Sequence, residues 1–412
     1  MGPDRSASSR GPGFLLSPLG IVFMTVVIDL VGFGIVLPIL PLWAETFGAS
    51  PVQIGLITAS YAVMQLLFAP VWGRVSDRVG RRPVILVSLA GSAVAALLIG
   101  LAGTLLVLFL ARILQGIAGA SYAAAQAYVA DVTTREERAK GMGMIGAAFG
   151  LGFVLGPAIG ALFSSVDERL PFFVAAGLAA ANLVLAWLRL PESRKQGAAA
   201  APVPRASVLR RALSSPDLAP LVWLSFVATL AFVGMESTFA LFGERRFDYS
   251  TAQIGLLFVY IGVLTVIGQG FLVGRLVERW GEGRVLVGGL AGTAGGLLAV
   301  AVARDLWVLL PGLALLAVAS GLVFSTTTAL ISLASGEDEQ GATLGLTASV
   351  GGAARIIAPL AATALFQHAG IAVPLVAGAA LMALCAAAAA VRLSGPASPR
   401  STGSPLSRSS RS

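Results

Sequence analysis

Long apolar stretches alternate with short polar segments along this chain. They run roughly 19–41, 54–72, 83–103, 105–130, 141–164 and 170–190, then 218–242, 254–274, 284–303, 306–333, 340–367 and 371–392. Each is close to the ~20 residues a helix needs to cross a bilayer. The pattern predicts an all-α membrane protein with twelve transmembrane helices. The first six form one bundle (19–190) and the last six another (218–392), joined by a Pro/Ala/Arg linker at 191–217. Residues 1–18 and 393–412 are polar, rich in Gly, Pro, Ser and Arg, and are expected to be disordered tails. The first stretch carries Asp29 and two prolines and has no small-residue cleavage site, so it is expected to stay as a spanning helix.

The two halves echo each other. Gly73 to Pro83 reads Gly-Arg-Val-Ser-Asp-Arg-Val-Gly-Arg-Arg-Pro, and Gly274 to Arg284 reads Gly-Arg-Leu-Val-Glu-Arg-Trp-Gly-Glu-Gly-Arg. Gln53-Ile54-Gly55-Leu56 precedes the first copy and Gln253-Ile254-Gly255-Leu256 precedes the second. A basic loop at the same place in each half implies a duplicated, pseudo-symmetric architecture of two six-helix bundles.

Composition supports the membrane reading. The chain is 57% hydrophobic and only 12% charged, whereas soluble domains carry about 25% charged residues. The net charge of +8 does not point to nucleic acid, because the basic residues sit in short loops and tails. One cysteine, Cys385, allows no intrachain disulfide, and one histidine, His368, makes no metal site. Most of the Lys and Arg fall on one side: in both tails, the linker, the 73–82 and 274–284 loops, and the 131–140 loop. The other side holds Arg169, Arg245, Arg246 and Arg304. The excess predicts that both termini face the cytoplasm, in the cytoplasmic (inner) membrane. The Glu337-Asp338-Glu339 loop adds no basic residue to that side, but acids weigh little in this rule.

Three motifs carry candidate chemistry. In the first, Gly73 and Gly80 are expected to let the chain turn and let helices approach. Asp77 lies among Arg74, Arg78, Arg81 and Arg82, a charge cluster that can break and re-form as two bundles part. The same arginines would also be there if they served topology alone. In the second, Arg112 lies about 12 Å into the fourth stretch at 1.5 Å per residue, followed by Gln115 and Gly116. A buried arginine needs a partner or a water-filled cavity, and Asp29 is the expected partner. Such a pair could load and release a proton, or could simply lock two helices. In the third, Gly143, Gly152, Gly156, Pro157 and Gly160 line the fifth stretch. Gly152, Gly156 and Gly160 recur every four residues, which bares one helix face for close packing, and Pro157 invites a bend.

The second half has its own intramembrane charges, Glu236 and Arg355. Glu236 is a further proton-site candidate or a counter-charge for a cationic substrate, with Arg355 as its possible partner. Candidates for a substrate cavity are Tyr61, Gln65, Gln115, Tyr122, Gln126, Phe232, Phe239, Tyr260 and Gln269, together with Arg355. No Gly-x-x-x-x-Gly-Lys-Ser/Thr loop, zinc motif or catalytic constellation is present, so the chain is not expected to be an enzyme. No cofactor is expected either, and an ion gradient would supply the energy. One charge moved through the membrane potential yields ~2.3 kcal/mol per 100 mV.

Gly73 to Arg82 resembles the signature loop of the major facilitator superfamily, and Gly274 to Arg284 its weaker second copy. Arg112 with Gln115-Gly116 resembles the family's helix-4 motif, implicated in proton transfer. Gly143 to Gly160 resembles its antiporter motif, with Ala161 where a glycine is usual. Asp29-Leu30-Val31-Gly32-Phe33-Gly34 with Pro38 and Pro41 is similar to helix 1 of the twelve-helix drug:proton antiporters, tetracycline exporters included. Leu190-Pro191-Glu192-Ser193 resembles the segment ending helix 6. The resemblance implies proton-coupled export of small drug-like or amphipathic compounds by alternating access. Asp29, Arg112 and Glu236 would couple protons to transport. The expected partners are a small-molecule substrate, protons and lipid, with the monomer as functional unit. A sugar or metabolite transporter of the same superfamily, and a non-transporting membrane sensor or scaffold, are the alternatives.

Overall fold

A computed structural model describes residues 17–119, 122–133, 138–193, 214–335 and 340–394. Most of both tails, most of the linker, Arg135 and the Glu337-Asp338-Glu339 loop lie outside these residues, as does the Tyr122 side chain.

The described residues are helical almost throughout. The first half contains α1 (Pro18–Glu45), α2 (Pro51–Val79), α3 (Arg81–Gly100), α4 (Leu105–Gly119), α5 (Tyr122–Val132), α6 (Arg138–Ser164) and α7 (Leu170–Arg189). The second contains α8 (Leu218–Phe247), α9 (Thr251–Ile267), a π-helical turn (Gly268–Leu272), α10 (Val273–Trp280), α11 (Glu282–Val302), α12 (Leu306–Ala334), α13 (Gln340–His368) and α14 (Val373–Ser394). Among the described residues eleven spans are long and apolar enough to cross a membrane; α4 and α5 belong to one of them, Leu105–Val129. The fifth expected stretch is α6, whose 27 residues extend about 40 Å at 1.5 Å per residue.

Packing repeats from one half to the other. In the first half α1 packs on α6, α3 on α7 and α4, and α2 on α4. In the second, α8 packs on α13, α11 on α14 and α12, and α9 on α12. Between halves, α2 meets α13 and α6 meets α9, which are again equivalent pairs. Outward faces are apolar: Leu67, Leu110, Trp187, Leu298 and Leu384 are all exposed. Such surface suits lipid and would not persist in water.

The duplicated Gln-Ile-Gly run has two jobs. Ser50 and Gln53 form a capping box at the start of α2, and Ser250 and Gln253 form the same box at α9. Two residues later, Gly55 and Gly255 let the halves touch. A Cβ at Gly55 would come within 2.9 Å of the Pro359 carbonyl oxygen on α13, and one at Gly255 within 2.8 Å of Ala161 Cβ on α6. The alanine at 161 is thus accommodated by a glycine facing it.

The two basic loops are tighter than the hydrophobic pattern predicts. Helix α2 runs on to Val79 and α3 starts at Arg81, so the corner is Gly80 alone, at φ 107°. In the second half Gly281 alone, at φ 76°, joins α10 to α11. Apolar length marks where a helix leaves the membrane, not where it ends, so hydropathy shortens these helices. Gly73 lies inside α2 with open space around it, so it serves neither a turn nor a close approach.

Candidate functional site

A cavity of about 480 Å³ lies where the two halves meet. The second half supplies most of its wall, from α8, α9, the π turn, α12 and α13, while Gly150 and Phe153 come from α6. Phe153, Phe232 and Phe324 make it apolar, with Phe232 and Phe324 edge to face at 6.5 Å. Glu236 and Arg355 bring opposite charges to the same space. Gln269 reaches the wall from the π turn, a kind of helix irregularity often found at functional sites. Gly321 leaves room for it, since a Cβ there would lie 3.1 Å from Gln269 Cγ.

Glu236 is buried, and its Oε1 has no hydrogen-bond partner. Among the described residues no direct ion pair joins it to Arg355. A buried carboxyl without a fixed partner is costly in such an interior.

Arg112 is also buried, at 2% exposure. The expected pair with Asp29 does not form. Arg112 Nη1 donates to Gln115 Oε1 at 2.5 Å, and its guanidinium lies over the Tyr61 ring, 4.7 Å from the centroid. The motif's glycine explains this seat: a Cβ at Gly116 would press into the Tyr61 backbone, so only glycine lets α4 approach α2 here. The Tyr61 hydroxyl accepts from Gln65 Nε2 at 3.2 Å. Asp29 sits instead in a small pocket beside Thr25 and Ser88, where Ser92 Oγ donates to its Oδ1 at 3.2 Å. Arg112 and Asp29 have similar depth in the sequence, but each finds its hydrogen bond in a different group of helices.

Arg112 does share a space with Glu236. A chamber of about 20 Å³ is lined by Phe33, Thr58, Arg112, Glu236 and Ser237, with Val36, Leu37, Leu40 and Pro41 of α1. Rings connect the two regions: Tyr61 to Phe33 at 5.5 Å, then Phe33 to Phe153 at 6.5 Å.

Of the cavity candidates, Phe232, Gln269 and Arg355 line the large cavity. Tyr61, Gln65 and Gln115 belong to the Arg112 cluster, and Gln126 lines neither space. Phe239 is a core residue, fully buried against Phe258 at 5.5 Å. Tyr260 packs on the core, and its hydroxyl donates to the Leu310 carbonyl at 3.4 Å. Aromatic type does not reveal which face of a helix points inward, so sequence reading overcounted these two. It missed Phe153, Phe324 and the hydroxyls of Thr229, Ser320 and Thr328 in the wall.

At the Gly80 corner Arg74, Asp77, Arg81 and Arg82 find partners within the first half. Arg81 Nη1 bonds Asp77 Oδ1 at 2.6 Å, and its Nε bonds Asp131 Oδ2 at 3.2 Å. Glu192 accepts the backbone N–H groups of Arg81 and Arg82 at 2.8 and 3.1 Å, capping α3 with a carboxylate. Arg82 Nη2 donates to the Trp187 carbonyl, and Arg74 Nε to the Pro70 carbonyl. Arg78 also has a partner. In the second copy Glu282 replaces Arg81, so the same cluster cannot form there.

The glycine face of α6 packs on α1 as expected, through Gly34. A Cβ on Gly34 would lie 2.6 Å from the Gly152 oxygen, and one on Gly156 2.6 Å from Gly34 Cα. Gly160 faces Ile35 and Ile39, and Pro157 packs beside Gly34. Gly143 lies in α6, but its surroundings are outside the described residues.

At the end remote from the basic corners the halves are latched. Arg245 Nη2 bonds Glu45 Oε1 at 2.7 Å and stacks on Phe366 at 5.0 Å; Val52 N–H donates to Gln367 Oε1 at 3.1 Å.

Two pseudo-symmetric bundles around a shared cavity with unpaired intramembrane charges define a membrane transporter of the secondary type. The family model of the Major Facilitator Superfamily matches residues 22–277 and 245–411, and the chain belongs to that superfamily. It is 35% identical over 353 residues to the class C tetracycline resistance protein of Escherichia coli, covering 84% of this chain and 89% of that one. It is 30% identical over 269 residues to multidrug resistance protein 1 of Bacillus subtilis (strain 168), covering 64% and 68%. Among solved structures, it is similar to the human organic anion transporter MFSD10 (TETRAN), at 26% identity and TM-score 0.67, covering 90% and 98%.

Proposed function

We propose that this protein exports small drug-like or amphipathic compounds in exchange for protons, by alternating access between its two bundles. The observation that carries this is Glu236, a buried carboxyl with an unpartnered oxygen in the wall of an aromatic-lined cavity that also holds Arg355. A carboxyl there can hold either a proton or a cationic substrate, and that exclusivity is the basis of exchange. The family membership and the tetracycline and multidrug resistance relatives support efflux. Arg112 and Asp29 are assigned supporting roles in coupling. Energy comes from the proton gradient, with no cofactor, and the monomer is the functional unit. The basic corners at Gly80 and Gly281 face the cytoplasm of the plasma membrane, so the latch at Glu45 and Arg245 closes the outer side.

The test uses inverted vesicles energised with a proton gradient, to which tetracycline and cationic dyes are added while lumenal pH is followed. Substrate-induced alkalinisation is expected. Glu236→Gln should abolish it in correctly folded protein. Full proton-driven transport by that variant overturns the coupling assignment.

A further inference from the structure

We propose that the second half holds one phosphatidylethanolamine molecule in a groove at the end of the molecule that carries the basic corners. The lipid headgroup meets Asp217, Glu282 and Arg392, and its acyl chains lie along an apolar wall beneath them.

The groove is a cavity of about 650 Å³, separate from the one that Glu236 and Arg355 line. Four helix ends enclose it: the starts of α8 and α11 and the ends of α12 and α14. Its charged lining residues, Asp217, Glu282 and Arg392, all stand at those ends. Among the described residues none of the three is in an ion pair. Below them the wall is Leu221, Trp223, Leu224, Leu286, Leu330 and Leu333. Val227, the deepest residue that α8 gives to this wall, is ten residues past Asp217, about 15 Å along the helix. That is half of the ~30 Å hydrocarbon core, the depth of one leaflet. Trp223 is 57% exposed, near the membrane surface where indoles are favoured. An apolar slot one leaflet deep, with charges only at its mouth, fits a phospholipid rather than a soluble anion.

The repeat shows that this space is special to the second half. Leu286 lies five residues past the corner at Gly281, as Ile85 lies five past Gly80. Yet the chamber that Ile85 lines, between α1, α3 and α5, is only about 20 Å³. The chain beyond α7 packs into that end of the first half. Leu190 is buried, the Tyr128 hydroxyl donates to the Pro191 carbonyl at 3.0 Å, and Glu192 caps α3. Beyond α14 the matching run reads Leu393-Ser394-Gly395-Pro396. It has no acid to hold α11 as Glu192 holds α3.

The rim charges select the headgroup. Two carboxylates and a guanidinium match an ammonium and a phosphate. A primary ammonium carries three N–H donors, enough to reach both carboxylates, and the guanidinium suits the phosphate. The quaternary nitrogen of phosphatidylcholine has no N–H to give. Phosphatidylglycerol brings no cation, and its net negative charge is repelled by Asp217 and Glu282. Bound here, the ethanolamine lipid ties the starts of α8 and α11 to the end of α14.

Cys385 lines the groove and is the single cysteine of the chain, so it reports occupancy in the native protein. The full chain is placed in nanodiscs of phosphatidylcholine, pure or partly replaced by phosphatidylethanolamine or phosphatidylglycerol with the same acyl chains. Labelling of Cys385 by N-ethylmaleimide is timed in each. Phosphatidylethanolamine should slow it about fivefold, the factor that ~1 kcal/mol of exposed charge contacts provides; phosphatidylglycerol should not. Asp217→Asn with Glu282→Gln should remove the protection. Native mass spectrometry of the same samples should find the ethanolamine lipid retained on the parent and lost from that variant. No preference for it in either measurement means ordinary boundary lipid and overturns the proposal. Slowing by phosphatidylglycerol, or protection that survives in the variant, overturns it as well. The test needs neither substrate nor proton gradient, so it stands or falls apart from the export assay.

Discussion

At Gly156 a single hydrogen atom in place of a methyl group decides whether two helices meet. An alanine Cβ there would lie 2.6 Å from Gly34 Cα, with backbone on the receiving side. Overpacking of this kind costs about 1–3 kcal/mol. Gly73, inside the last two turns of α2, has nothing within 4 Å of the same added Cβ, and there alanine should stabilise by up to ~1 kcal/mol. Gly156→Ala is therefore expected to lower the melting temperature of detergent-purified protein, and Gly73→Ala to leave it level or raise it. Equal effects would mean that the α1–α6 seam is not backbone to backbone. Both glycines stand out in the sequence, but only one is there for space. A four-residue period marks a bare face, whereas an isolated glycine in a basic motif carries no such geometric signal. The charged residues divide the same way. Arg112 and Glu236 are conspicuous as ionisable groups in apolar runs, and Gln115, the hydrogen-bond partner of Arg112, lies three residues along the same helix, but Tyr61 beneath its guanidinium and Arg355 beside Glu236 lie on other helices and are invisible along the chain.

Helix α3 begins at a corner with no side-chain cap of its own. Its first amides are instead held by Glu192, which follows α7. A carboxylate at a helix N-terminus contributes roughly 0.3–1 kcal/mol when exposed. Glu192→Ala should accelerate hydrogen exchange at the Arg81 and Arg82 amides by up to about fivefold, with little change at Glu282 and Gly283 in the equivalent corner. Matching acceleration at both corners would show global loosening instead. The element boundaries themselves were partly legible. Each of the twelve apolar runs is helical over its described residues, the fourth as α4 and α5, but several helices extend a turn or more past the end of the run. The capping boxes at Ser50 and Ser250 are present in the sequence as Ser-x-x-Gln, and the repeated Gln53 and Gln253 are their second members.

For the whole molecule the issue is which end of the bundle pair is shut. Glu45, Arg245 and Phe366 close the end remote from Gly80. The ion pair is partly exposed, so it contributes no more than about 1 kcal/mol, and the stacking adds a similar amount. Arg245→Ala should therefore loosen this end by a modest factor. A cysteine at Thr363, which is fully buried at the α2–α13 seam, gives a readout in the Cys385→Ser background. Its labelling by a membrane-impermeant maleimide should speed up by about five- to thirtyfold in Arg245→Ala, the factor that ~1–2 kcal/mol provides. An unchanged rate would place the closure in the glycine seams rather than in the latch.

The sequence by itself determined the membrane location, the order of the apolar runs, the duplication and the superfamily resemblance. Those follow from apolar length, composition and repeated spacing, which are local properties of the chain. Only the tertiary structure decided which buried charges share a space. Asp29 went to Ser92 and Arg112 to Tyr61, Gln115 and the chamber with Glu236. The reason is physical: hydrophobicity says how deep a residue lies in the membrane, but helix rotation and bundle packing set which way it faces. Depth is written along the chain, and facing arises only when six helices are packed against six.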